Sequence, residues 1–264
     1  MIVDFHTHVY PEHVAATTLE SVRERAGINS YASGTVRDLL DSMLAAEIDL
    51  SVVSRIATKP EHVEPINRWL QEIQQPGILP VATIHPDLSM NPELIPSLKT
   101  QGFKGLKLHP DYQGFFVDQI SMYPMYEAVQ AEHMFVLFHA GVDRGLPNPV
   151  HSTPQRLAKL HRQFPHLRII AAHMGGEGMY DETEQYLLGS AVYLDTSFVL
   201  QKMPLNTVKR FFGTHPVERL LFGTDSPWTD QRQELDYFLS LPFLTEEAKE
   251  RIAGGNAAGL MDLA

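Results

Sequence analysis

The feature that most constrains the fold is a regular alternation of short apolar runs with longer amphipathic stretches along the 264 residues. The runs are almost continuously hydrophobic, which is typical of parallel strands buried on both faces. Eight such runs cover residues 2–9, 50–57, 78–85, 103–109, 134–141, 167–175, 192–199 and 219–225. Between and after them lie helix-like stretches, at 35–47, 62–75, 91–101, 122–133, 153–164, 182–190, 204–213 and 231–240.

Eight strand–helix repeats predict an α/β protein, a single (β/α)8 TIM barrel that spans residues 1–264 as one domain. A doubly wound open sheet is the structural alternative. The segment 10–33 is the one long insertion, and we expect it to be a loop over the barrel mouth. The last stretch, 245–263, predicts one more helix, which the Gly254–Gly255 pair interrupts.

Charge and composition exclude several classes of function. A formal net charge of -11 argues against binding to nucleic acid or to an anionic membrane surface. The sequence has no apolar run of roughly 18 residues and no basic presequence, so we expect a soluble cytoplasmic protein with a small-molecule substrate. The absence of cysteine excludes disulfides and thiolate zinc sites. Any metal must therefore be held by histidine, carboxylate or a modified lysine.

Polar side chains end most of the predicted strands. His6 and His8 end the first, and as alternate residues of a strand they point to the same face. Later strands end at Arg55, His85, Lys107, His109, His139, His173 and Asp225. The carboxyl ends of barrel strands build the active site, so these groups converge there. Each has an ordinary structural explanation alone, but burying so many imidazoles without partners is costly. A divalent cation removes that cost, and the joint pattern favours a metal site.

The remaining histidines lie outside this pattern. We expect them at the surface or in loops: His13, His62, His133, His151, His161, His166 and His215.

Several motifs, in their order along the chain, resemble those of a known family. They are DFHTH (4–8), GFKGLKLHP (102–110), YQGF (112–115), VLFHAG (136–141), AAHMGG (171–176), LLFGTDSPW (220–228) and GNAAGLMDL (255–263). Together they resemble the amidohydrolase superfamily, and most closely its amidohydrolase-related branch of TIM-barrel metal-dependent hydrolases. That branch also includes metal-dependent decarboxylases of aromatic acids. The resemblance covers essentially the whole chain.

The resemblance implies a role for each matching residue. His6, His8, His139 and Asp225 match metal ligands, and Asp225 also matches the acceptor of a proton from metal-bound water. His173 matches a second-metal ligand in binuclear members and a catalytic acid/base in mononuclear ones. Lys107 matches the position of a carboxylated lysine that bridges two metals. The implied cofactor is a divalent metal, zinc in the first place, as one ion or two, and homo-oligomers are usual.

These observations predict a metal-dependent hydrolase that uses activated water to cleave a small amide, lactone or ester. Two alternatives stay open: non-oxidative decarboxylation of a small aromatic or unsaturated carboxylic acid, and a non-catalytic metal-binding barrel. The sequence shows no clear cluster of aromatic and arginine residues to hold an aromatic carboxylate, which favours hydrolysis. The predicted substrate contacts are Arg55, His85, His109, Tyr112, Arg144 and Trp228.

Overall fold

Parallel strands form the centre of the fold in a computed structural model that describes residues 1–88, 94–146 and 148–263. The eight strands of this described part are β1 (Val3–His8), β2 (Leu50–Ser54), β3 (Ile78–Pro80), β4 (Gly105–Leu108), β5 (Phe135–Phe138), β6 (Arg168–Ala171), β7 (Tyr193–Asp195) and β8 (Leu220–Leu221). Hydrogen bonds order them as β1-β2-β3 and β4-β5-β6-β7-β8. Each strand therefore lies beside its neighbour in sequence.

Backbone hydrogen bonds join these two sheets at both junctions. The amide of Lys107 donates to the carbonyl of Ala82 at 2.8 Å, which joins the β3 side to β4. The amide of Asp225 donates to the carbonyl of His6 at 2.7 Å, which joins the β8 side to β1. The ring is thus continuous, which confirms the predicted (β/α)8 barrel and excludes the open doubly wound sheet.

Helices surround the ring of strands and lie at its two ends. They are α1 (Glu12–Ala26), α2 (Val36–Ala46), α3 (Val63–Glu72), α4 (Leu94–Thr100), α5 (Pro110–Gln113), α6 (Tyr123–Ala131), α7 (Pro154–Gln163), α8 (Tyr180–Tyr186), α9 (Leu205–Thr214), α10 (Gln231–Ser240), α11 (Glu246–Glu250) and α12 (Asn256–Met261). The start of the helix predicted over 91–101 and residue 147 of the β5–α7 loop lie outside the described residues. No helix in the described ranges is long and apolar enough to span a membrane.

The segment 10–33 corrects the sequence prediction, because it contains the helix α1 rather than only a loop. Pro11 precedes the helix and Gly27 ends it in a left-handed conformation, at φ 67°. Only Ala15 of this helix is fully buried. The helix therefore lacks the broad apolar face by which the other helices were recognised.

The barrel interior is filled by apolar side chains from alternate strand positions, including Phe5, Val52, Phe135 and Leu221. At the amino-terminal end α12 closes the barrel, since its Leu260 packs into the same cluster. A second and larger apolar layer lies between the strands and the helices. Polar groups are thereby left to the opposite, carboxyl-terminal end, where the candidate site lies.

Two smaller predictions are also corrected. The Gly254–Gly255 pair does not interrupt the last helix, since residues Arg251–Gly255 form a π-helical turn that leads into α12. A Cβ on Gly254 would lie 2.1 Å from the Met1 carbonyl oxygen, so close packing against β1 requires glycine there. His215 is buried rather than exposed, and its Nε2 donates to the carbonyl of Val192 at 3.0 Å.

Candidate active site

Two histidines of β1 meet an aspartate that follows β8. His8 Nδ1 lies 3.1 Å from the Ser54 carbonyl, so it carries the proton and donates there. The other ring nitrogen, Nε2, is then a lone pair, and it lies 3.0 Å from Asp225 Oδ1. Two acceptors at this separation need a cation between them, either a proton or a metal ion.

His6 repeats this arrangement deeper in the barrel. Its Nδ1 lies 3.0 Å from Asp195 Oδ2 and donates to that carboxylate. Its Nε2 lone pair lies 2.8 Å from Lys107 Nζ and 3.4 Å from Asp225 Oδ1. His6 and His8 therefore present their Nε2 lone pairs to the same Asp225 oxygen, and the predicted convergence of Lys107 on this point is observed.

Asp195 and Ser197 are site residues that the sequence reasoning missed. Asp195 Oδ1 accepts the backbone N–H of His173 at 3.0 Å, while its other oxygen holds His6. Ser197 Oγ lies 2.9 Å from His6 Nδ1 and 3.0 Å from His173 Nδ1. The signal was present, because Asp195 ends β7 as Asp225 follows β8. One carboxylate thus positions two of the predicted histidines.

His173 and His139 form a directed pair. His173 Nδ1 lies 3.1 Å from the Ser197 carbonyl and donates to it, which leaves Nε2 as an acceptor. His139 Nδ1 lies 3.0 Å from that Nε2 and donates to it. His139 Nε2 is then a buried lone pair, and it has no hydrogen-bond partner within the described residues. A buried imidazole lone pair of this kind is suited to a cation.

His109 lies flat on the other face of this pair. The rings of His109 and His139 are stacked, with centroids 4.1 Å apart and planes 6° from parallel. His109 Nε2 is 3.3 Å from Asp143 Oδ2. Asp143 is itself fixed by its own turn, because its Oδ1 accepts the amides of Gly145 and Leu146 at 2.8 and 2.9 Å.

Burial and neighbouring charge set the protonation of the central groups. Burial alone would raise the pKa of Asp225, but His6, His8 and His173 favour its carboxylate and hold the pKa at about 2. Burial, together with the Lys107 charge, lowers the pKa of His6 to about 4. Burial also lowers the pKa of Lys107 to about 8, against the opposing effect of the nearby carboxylates. At neutral pH the site therefore offers an ionised carboxylate beside a neutral imidazole.

These donors fit a divalent metal ion. Three sets bring one ligand atom per residue within 4.8 Å of each other: His6–His8–Asp225, His6–His173–Asp195 and His109–His139–Asp143. Imidazole nitrogen and carboxylate oxygen suit such ions, and each set is buried or nearly so. In the second set, however, His6 and His173 use their Nδ1–H groups as hydrogen-bond donors, so the first and third sets are the ones that offer free lone pairs. The structure therefore brings His6, His8 and Asp225 together as predicted, whereas His139 falls in a different set, with His109.

Three residues of the site hold left-handed backbone conformations. Positive φ angles occur at His173 (58°), Phe198 (66°) and Asp225 (73°). Such conformations are uncommon outside glycine and concentrate at functional sites, where the surrounding fold imposes them.

The site opens into a cavity of about 630 Å³. Five of the six predicted substrate contacts line it: Arg55, His109, Tyr112, Arg144 and Trp228. His85 does not line it; its Nδ1 accepts the amide of Asp87 at 3.2 Å. Residues of α1 form part of the cavity wall. The sequence predicted a loop in this position over the barrel mouth, whereas the structure has a helix.

Arginine and aromatic side chains alternate around this cavity. Arg55 lies against the rings of Tyr10 and Trp69, 5.2 and 5.4 Å from their centroids. Arg25 lies 5.5 Å from the centroid of Tyr112. Arg144 lies 5.2 Å from the centroid of Phe198. The structure therefore assembles, from distant parts of the chain, the arginine and aromatic cluster that the sequence did not show.

A parallel barrel with histidines and carboxylates at the carboxyl ends of its strands defines a class of barrel enzymes. The amidohydrolase family model matches residues 3–263, and the chain belongs to this family. The resemblance drawn from the motifs is thus confirmed. No curated protein matches the sequence.

Solved structures share the fold over nearly their full length. The TIM-barrel protein Bb4693 from Bordetella bronchiseptica has a TM-score of 0.79 at 18% identity, covering 99% of this chain and 98% of that one. The 5-carboxyvanillate decarboxylase LigW from Sphingomonas paucimobilis has a TM-score of 0.75 at 15% identity, covering 100% of this chain and 99% of that one. A dihydroxybenzoic acid decarboxylase from Polaromonas sp. JS666 was solved with manganese and the inhibitor 2-nitroresorcinol. It has a TM-score of 0.75 at 20% identity, covering 99% of this chain and 97% of that one. At these identities the likeness concerns the fold.

Proposed function

We propose that this protein is a metal-dependent enzyme that removes the carboxyl group of a small aromatic hydroxy acid as CO2. The observation that carries the proposal is Arg55, which lies between two aromatic rings and lines the same cavity as the histidine cluster. Among the described residues no carboxylate forms an ion pair with Arg55. Burial lowers its pKa without removing its charge at neutral pH. A substrate carboxylate is the natural partner for this guanidinium.

The residues divide the reaction between them. His6, His8 and Asp225 would hold a divalent ion, zinc or manganese, which when bound supplies Lewis-acid charge for anionic substrate oxygens. The buried Nε2 lone pair of His139 would bind the same ion, or a second one together with His109 and Asp143. Arg55 binds the carboxylate, and Trp228 and Phe198 flank the aromatic ring. The ring carbon loses CO2 and gains one proton. The proton comes from the His139–His173 pair, in which His139 Nδ1 donates to His173 Nε2 while His173 Nδ1 is committed to the Ser197 carbonyl.

The structural relatives support this choice without deciding it, since two of the three described above are named decarboxylases of hydroxylated aromatic acids. Hydrolysis, the reaction favoured by the sequence, is the second candidate. It draws support from the ionised Asp225 carboxylate, 3.0 Å from His8 Nε2, which is placed to accept a proton from water.

One experiment tests the proposal. Protein loaded with zinc or manganese, with the metal per chain quantified, is incubated in D2O with a panel of hydroxybenzoates. Decarboxylation predicts release of CO2 and one deuterium at the carbon that lost it. A parallel panel of small esters, amides and lactones tests hydrolysis. Turnover of that panel alone overturns the proposal in favour of hydrolysis, and turnover of neither by metal-loaded protein favours a binding barrel.

The role of Arg55 predicts a specific kinetic defect. Loss of a charge-assisted hydrogen bond of about 2 kcal/mol corresponds to a roughly 30-fold rise in KM for the Arg55→Gln variant. The matched control is Arg68→Gln, because Arg68 is exposed, pairs with Glu64 and does not line the cavity. An equal effect of both substitutions would contradict the assignment of Arg55.

A further inference from the structure

We propose that Arg25, on the helix over the barrel mouth, binds a second acidic group of the substrate, which is therefore a diacid. The inference rests on the proposed function, because it concerns the end of the substrate remote from the carboxylate held by Arg55. It assigns α1 a part in substrate selection.

The first observation is the face that α1 presents to the cavity. One row of lining residues recurs at intervals of four along the helix, from Val14 through Thr18 and Val22 to Ala26. A second row of polar side chains lines the same cavity, and its members follow one another at one helical turn: Thr17, Ser21 and Arg25. The helix thus offers two hydroxyl groups leading to one guanidinium.

The second observation is that Arg25 contacts two neighbouring elements of the barrel mouth. Its guanidinium lies over the ring of Tyr112, in the short helix α5 that follows β4. Its aliphatic stem packs on Gly145, in the loop after β5, so tightly that a Cβ there would lie 2.9 Å from Arg25 Cγ. Contacts with α5 and with the loop after β5 therefore restrict the position of a side chain that belongs to α1.

The third observation is charge. In the described part of the chain no carboxylate forms an ion pair with Arg25, whereas Arg23 on the same helix pairs with Glu20 and Arg144 pairs with Glu177. Asp143, the acidic residue nearest Gly145, already accepts two backbone amides and faces His109. Arg25 is exposed, so water solvates its guanidinium in the free protein. In a chain of net charge -11, two cavity-lining arginines without an ion pair among the described residues favour a ligand with two anionic groups.

The direct test measures binding rather than turnover. The chain has two tryptophans, Trp228 in the cavity wall and Trp69 against Arg55, so tryptophan fluorescence reports occupancy. Metal-loaded protein is titrated with benzoate and with benzene-1,3- and benzene-1,4-dicarboxylate. We expect the better dicarboxylate to bind at least about tenfold more tightly than benzoate, as for one added charge-assisted hydrogen bond.

Matched variants locate the effect. Arg25→Gln removes the preference for the diacid and leaves benzoate binding within about twofold, while Arg23→Gln retains the preference. Gly145→Ala, which keeps Arg25 but displaces its stem, reduces the preference and covers the case in which Arg25→Gln folds poorly. Equal binding of mono- and diacids by the wild type, or an equal loss of both in Arg25→Gln, overturns the inference.

The design separates this inference from the proposed function. If Arg25→Gln abolishes the diacid preference but no hydroxybenzoate is decarboxylated, the subsite stands and the reaction assignment fails. If decarboxylation occurs without a diacid preference, the subsite fails alone. If metal-loaded protein binds neither class of acid, both fail.

Discussion

At the scale of single residues, the contact between His109 and His139 explains how an unpaired lone pair is kept in place. His139 Nε2 has no hydrogen-bond partner in the described residues, so its own bonds do not fix the ring fully. The parallel His109 ring, 4.1 Å away, restricts how the His139 ring can tilt. Hydrogen-bond partners that orient a metal-binding histidine commonly contribute about 10- to 100-fold to metal affinity, and we expect the lower end of that range for a stacked ring.

This contact predicts that ring shape at position 109 matters more than its nitrogen atoms. His109→Ala should weaken zinc affinity by about tenfold, because the stacked surface is lost. His109→Phe, which keeps a flat ring, should weaken it by less than about threefold. Competition with a chromophoric chelator measures both affinities.

His151→Ala is the control for that measurement. Like His109 with Asp143, His151 pairs with an aspartate, its Nδ1 lying 2.9 Å from Asp111 Oδ1, but it does not line the cavity. Equal losses in the Ala and Phe variants would show that stacking is not the cause. A fall in stoichiometry from two zinc ions to one would instead assign His109, His139 and Asp143 to a second ion.

At the scale of elements, β4 and β5 depend on a glycine inside the barrel. A Cβ on Gly105 would lie 2.3 Å from the Phe135 ring, and that ring is buried. Gly105→Ala should therefore cost about 1–3 kcal/mol of unfolding free energy in urea denaturation. Gly213→Ala in α9 is the matched control, because nothing lies within 4 Å of its Cβ position, and it should gain roughly 0.5–1 kcal/mol. Recovery of stability by adding Phe135→Leu would confirm the steric cause, and no recovery would contradict it.

The barrel was predictable from sequence because each strand is a buried apolar run, and burial on both faces leaves a strong local signal. The metal-ligand candidates were predictable because strand ends converge in any closed barrel. The helix α1 was not, since only Ala15 is fully buried and its signal is mainly Pro11 and Gly27. The cluster of Arg25, Arg55 and Arg144 was not predictable either. These residues are spread over 120 positions of the sequence and line one cavity only because the ring closes.

At the scale of the whole molecule, closure of the ring places residues from the two ends of the chain in contact. His6 and Asp225 are 219 positions apart, yet the carbonyl of His6 accepts the amide of Asp225. Their side chains also meet, with His6 Nε2 3.4 Å from Asp225 Oδ1. The metal-ligand set therefore exists only in the complete barrel. Metal affinity and global unfolding should consequently be linked, since an ion that binds the folded state alone stabilises it by mass action.

The stability of the whole fold should also depend on pH through a histidine remote from the cavity. Burial lowers the pKa of His215 to about 4, against about 6.5 in an unfolded chain. The unfolded state therefore binds the proton more tightly, so stability is complete above pH 6.5, falls as the pH decreases toward 4, and levels off below that. Between pH 7 and pH 5 the loss is about 2 kcal/mol.

The variant His215→Gln isolates this contribution because it retains a donor for the Val192 carbonyl but cannot titrate. Urea denaturation of both proteins in a chelating buffer gives the unfolding free energy at each pH. Other titrating groups, His6 included, are common to both proteins and cancel in the difference. We expect the wild type to lose about 2 kcal/mol more than the variant between pH 7 and pH 5. Parallel curves would show that His215 has a nearly normal pKa and that proton uptake there is not coupled to unfolding.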